Sequence, residues 1–125
     1  MTTKLFSTLD ERRTFGIRFH DGEDVRTGLL RLVRVQSLRA SRLTGLGHLR
    51  CVKLQEFDAT TSNFRVVLID NVTTIIRMLG EVASQSGTAT ITMHLIVCDA
   101  AGVRTSGYLL EAKAVNDVDV IIIES

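Results

Sequence analysis

Few side chains in this sequence have the type and spacing that chemistry requires. His94 follows Thr92 by two positions in the run Thr88 to Cys98. There Ala89, Ile91, Met93, Leu95 and Val97 share one face, and Thr88, Thr90, Thr92 and His94 share the other. An unperturbed imidazole titrates near pH ~6.5, so His94 could donate, accept or transfer a proton, although a strand histidine is more often a hydrogen-bonded structural group. Tyr108, the only tyrosine, could stack on a ligand or donate to it; the ordinary role of such a residue is to pack its ring and expose its hydroxyl. Glu23 and Asp24 could supply acid groups near Gly45-Leu46-Gly47, with His48 on the rim, but carboxylates at a helix start are also favoured by the helix dipole alone. Gly45-Leu46-Gly47 lacks the third glycine and the βαβ setting of a dinucleotide fingerprint and reads as a tight backbone passage. No Gly-x-Ser-x-Gly elbow, phosphate-binding loop or His-Glu-x-x-His helix occurs, and neither Cys51 nor Cys98 has an adjacent histidine. The inventory leans against an enzyme.

The elements that must position these residues follow from hydrophobic period. Phe15, Ile17 and Phe19 alternate in a first strand over 12–19, after a polar lead. Val25, Leu29, Leu32 and Val33 then fall on one helical face, with Asp21 or Gly22 as the expected cap and an end near Ser37. From Ala40 onward short alternating runs predict strands over 49–57, 63–69, 72–82 (irregular at Gly80), 88–98, 103–115 and 118–124, the last two joined by a turn at Asn116-Asp117. The final three should form an antiparallel meander. Val118 to Ile123 is apolar on both faces, which predicts cover from the helix on one side and a neighbouring subunit on the other.

The chain's 125 residues predict one domain over 1–125. Its 45% hydrophobic and 23% charged residues exclude a disordered chain. Two distant cysteines give no disulfide framework, and no apolar run near Met1 suggests a signal or a membrane span, so a cytoplasmic protein without a membrane partner is expected. Net charge is +1, yet residues 1–53 hold eleven Lys and Arg against five acids while the remainder hold four against nine. The fold is expected to bring the halves together and neutralise most of that asymmetry.

The order of a strand, Gly22-Glu23-Asp24-Val25 opening a helix, Gly45-Leu46-Gly47, Met78-Leu79-Gly80, the His94 strand with Asp99 and Gly102, and Gly107-Tyr108-Leu109 resembles the plants-and-prokaryotes conserved domain over about residues 14–124. The resemblance implies an α/β fold, mainly an antiparallel sheet with one main amphipathic helix after the first strand, similar to acetolactate decarboxylase, and usually a homotrimer. Many relatives carry His-x-His and Gly-Gly-His-Leu here, giving a metal three imidazoles from adjacent strands. This sequence has Thr92-Met93-His94 and Ser106-Gly107-Tyr108-Leu109, so neutral hydroxyls stand in two of the three positions and no metal or other cofactor is expected.

Two functions stay open. One is a homotrimeric, non-catalytic binding or regulatory module with a weak or indirect DNA association. The chain has no proline and hence no Arg-Gly-Arg-Pro hook, and its single helix belongs to no helix-turn-helix pair. DNA contact would then rest on Arg31, Arg34, Arg39, Arg42 and Arg50 touching phosphates, salt-sensitive and non-specific. The other is a metal-free small-molecule protein or enzyme with a pocket around Thr92, His94 and Tyr108.

Overall fold

The computed structural model describes residues 1–85 and 87–125. In chain order the elements are β1 (Thr2–Leu9), β2 (Arg12–Phe19), α1 (Val25–Val35), β3 (Ser41–Asp58), β4 (Asn63–Ile69), β5 (Thr73–Gln85), β6 (Thr88–Asp99) and β7 (Arg104–Glu124). All strand pairings are antiparallel, and the sheet runs β1-β2-β7-β6-β5-β3-β4. An additional β3–β7 pairing makes β3, β5, β6 and β7 a closed ring, so the sheet curls on itself. The expected mainly antiparallel α/β architecture with one helix is what forms.

Asp24, not Asp21 or Gly22, caps the helix: its Oδ1 accepts from the Thr27 backbone N–H at 2.8 Å, while Oδ2 accepts from Ala112 at 3.3 Å. The helix ends at Val35, where Ser37 turns left-handed (φ 50°) so that Leu38 N–H reaches the Val33 carbonyl and Ser37 N–H that of Arg34. Leu38 then packs inward. Val25, Leu29, Leu32 and Val33 are buried against the sheet with Phe19, Leu95 and Ala112, each large side chain contributing about 1.5–3 kcal/mol.

The strand expectations also change: the irregularity of β5 lies between Ile75 and Arg77, while Gly80 pairs regularly with Leu43 and Met93. The lead over 2–9 is a strand, paired with β2. The third strand begins at Ser41 rather than Leu49. Residues 104–124 are one long strand, because Asn116, left-handed at φ 55°, forms a bulge rather than a turn. At that point β3 is also irregular: Leu46 pairs with Asp119 and His48 with Val115, with Gly47 (φ 134°) between them. The meander therefore stops at β6–β7, and 118–123 continues β7 to pair with β2 and β3. Within it Val118, Val120 and Ile122 face the core, whereas Ile121 and Ile123 stand on the outer face, 43% and 52% exposed.

The charge asymmetry partly cancels across the fold. Arg18 holds Asp119 at 2.8 Å, which lowers the carboxyl's pKa. Arg13 Nε donates to the fully buried Glu124 at 2.8 Å, and the backbone N–H groups of Arg13 and Arg39 donate to the same carboxylate at 2.9 and 3.1 Å. This clasp ties β2, the segment after α1 and the end of β7.

Candidate functional site

The cross-strand register assembles a site on the outer face of the ring. Residues directly opposite in an antiparallel pair point to the same face. Arg42, Glu81 and Thr92 form one such row across β3, β5 and β6. Thr44, Leu79, His94 and Tyr108 form the next across β3, β5, β6 and β7. The rows are two residues apart along each strand, about 7 Å at a rise of about 3.4 Å per residue. They line a cleft of about 600 Å³, within the usual range for small-molecule sites. The His94 and Tyr108 rings meet edge to face, centroids 5.3 Å apart and planes at 80°. Tyr108 sits over a close backbone approach, since a Cβ on Gly107 would lie 2.8 Å from the Gln55 carbonyl oxygen.

Among the described residues no side-chain hydrogen bond or ion pair engages Arg42, Thr44, Glu81, Thr92, His94 or Tyr108. Polar groups with no protein partner, converging on a cleft with Leu79 in its wall, leave their hydrogen-bonding capacity to water or to a ligand.

The sequence candidates divide. Thr92, His94 and Tyr108 line one cleft. Arg42, grouped in the sequence reading with phosphate-binding arginines, lines this cleft instead, and Glu81, which that reading did not single out, stands opposite it. The parity of β5 carries the only advance signal, placing Glu81 on the face of Leu79. Glu23 lies elsewhere: its carboxylate accepts from the Met1 amino group and from the His20 backbone N–H, both at 2.6 Å, and these contacts lower its pKa. His48 is exposed and its Nδ1 bonds the Thr74 hydroxyl at 3.1 Å, away from the cleft. Gly45 and Gly47 serve close backbone passage: a Cβ on Gly47 would sit 3.0 Å from the Asp117 carbonyl oxygen. The remaining arginines form no single surface. Arg39 lies 3.9 Å from Glu124 and Arg50 3.9 Å from Asp21, while Arg31 and Arg34 stand on the outer face of α1 beside Arg26.

The donor set does not suit a tightly held metal. The cleft offers one imidazole, and among the described residues no three His, Cys, Asp or Glu side chains gather as ligands. Elemental analysis of purified protein is expected to find zinc well below one per chain; stoichiometric zinc lost on His94→Ala would contradict this.

The profile of the Plants and Prokaryotes Conserved (PCC) domain matches residues 7–125. Comparison with curated proteins finds no match. Among solved structures, a plant- and prokaryote-conserved protein of Pyrococcus horikoshii superposes with a TM-score of 0.80 at 19% identity, over 98% of this chain and 81% of that one. A metal-containing protein of Archaeoglobus fulgidus gives 0.79 at 15%, over 98% and 82%. A candidate DNA-binding protein of Bacteroides thetaiotaomicron gives 0.80 at 14%, over 94% and 81%.

Proposed function

Because the chain belongs to the Plants and Prokaryotes Conserved domain family, we propose that residues 1–125 act as one homotrimeric, non-catalytic binding module that takes a small molecule, without a metal, in the cleft between Arg42 and Tyr108. The observation that carries the reading is the convergence of two cross-strand rows of unengaged polar groups on one cleft. Self-association is supported by the apolar groups left on the outer surface. Phe57, Phe64, Val66 and Leu68 are all more than half exposed on one face of the β3–β4 hairpin, in addition to Ile121 and Ile123. Light scattering at micromolar concentration is expected to give three times the chain mass of 13.8 kDa. A single-chain mass would overturn the trimer. The cleft is tested through Tyr108: with one tyrosine and no tryptophan, tyrosine emission comes from the cleft alone, and ligand binding there should change it.

A second reading, non-specific association with DNA, is favoured by Arg26, Arg31 and Arg34. They line the outer face of α1 with no acidic residue on the helix and no ion pair among the described residues. Contacts of this kind reach phosphates and read no sequence. Binding to unrelated duplexes is expected to be no tighter than about 10⁻⁶ M at physiological salt. Replacing all three arginines by alanine should flatten the slope of log K against log salt by about 3. Nanomolar, sequence-selective binding would overturn it.

A further inference from the structure

The two rows of the cleft differ in chemistry, and that difference specifies a ligand. The first row sets the cation of Arg42 directly opposite the anion of Glu81, with the Thr92 hydroxyl beyond. Although the two are cross-strand neighbours, neither is in an ion pair among the described residues. The second row, about 7 Å along the strands, carries no formal charge opposite another: Leu79 and the Tyr108 ring, 44% and 43% exposed, flank His94 and offer apolar surface, with the Thr44 hydroxyl at its β3 end.

Resting on the small-molecule reading above, we propose that the cleft binds an α-amino acid with an apolar side chain. Its carboxylate meets Arg42, its ammonium meets Glu81, and its side chain lies against Leu79 and the Tyr108 ring. A simple anion held by Arg42 would lie beside the Glu81 carboxylate, and a simple cation held by Glu81 would lie beside the Arg42 guanidinium; each arrangement is opposed by like charge. A ligand that carries both charged groups on one carbon answers both side chains at once. A guanidinium matches a carboxylate with two parallel N–H donors. An apolar side chain of several carbons would extend from the charged row toward Leu79 and the Tyr108 ring, and the methyl of alanine would fall short of them.

The test is calorimetric titration of the full chain with L-leucine, following Tyr108 emission in parallel. The acid-only analogue 4-methylvalerate and the amine-only analogue isoamylamine serve as comparisons. Saturable binding of one L-leucine per chain, at least tenfold tighter than either analogue and weakened at least tenfold by Arg42→Gln and by Glu81→Gln, is the expected result. Analogues that bind as tightly as leucine, or variants that bind it unchanged with native circular dichroism, would overturn the proposal. If neutral isobutanol or cyclohexanol changes Tyr108 emission and leucine does not, the ligand class is wrong while the cleft stands. If none of these compounds gives saturable heat or changes that emission, both the class and the cleft reading fail.

Discussion

Replacing Glu124 with glutamine is expected to cost about 3 kcal/mol and to lower the melting temperature by about 10 °C at fixed protein concentration. The carboxylate is fully buried and accepts from the Arg13 side chain and from two backbone N–H groups. Breaking a buried pair from one side typically costs about 3–5 kcal/mol. The lower end applies because the Arg13 side chain is 28% exposed and water can solvate part of its charge. The hydrogen bond from Arg13 holds the Glu124 pKa down from 4.5 to about 2 in the folded protein. A depressed carboxyl pKa stabilises the fold above its unfolded value and ceases to do so as pH falls through its folded value. The wild-type protein should therefore lose this contribution between about pH 4.5 and pH 2, and the glutamine variant should show a shallower acid transition over the same interval. Acid titrations followed by circular dichroism would decide it; superimposable curves would contradict the clasp.

Gly47→Ala is expected to be of comparable severity, about 2–4 kcal/mol, measured as the change in urea midpoint with m unchanged. Its φ of 134° lies where L side chains rarely go, and the added methyl would meet the Asp117 carbonyl oxygen and the Val118 Cα at 3.0 and 3.1 Å. Both contacts are to backbone, so no rotamer change relieves them. Because β3 and β7 bend together at this point, the strain falls on the closure of the ring. A variant as stable as wild type would mean that the bend can form without glycine.

The sequence and the structure agree where burial is periodic. Met93 and Leu95 alternate with Thr92 and His94, and Val25, Leu29, Leu32 and Val33 repeat along a helix, because one face of each element is dry and the other wet. β1 escaped notice for the opposite reason: every residue from Thr2 to Leu9 is exposed, so no alternation was imposed on it. Asn116 misled because the left-handed conformation that Asn tolerates serves a bulge as well as a turn, and only the pairing partner distinguishes them. In the candidate site, the shared face of Thr92 and His94 was legible from strand parity, and the family resemblance was what set Tyr108 beside them. Arg42 and Glu81 were not recognised as neighbours, because 39 positions separate them in the chain and only the β3–β5 register joins them.

The closed ring of β3, β5, β6 and β7 also constrains the order in which the molecule can assemble. β7 is hydrogen-bonded to β2, β3 and β6, and the Arg13–Glu124 clasp joins residues 111 positions apart. Such long-range pairings give a high contact order, whose loop-closure entropy is met before the contacts reward it, so folding should be slow for a chain of this size. A ribosome releases residues 104–124 after every strand they pair with. Until they emerge, β2 and one edge of β3 wait with open hydrogen-bonding edges, and the nascent chain depends on chaperone shelter or brief dwell times to avoid pairing with another copy.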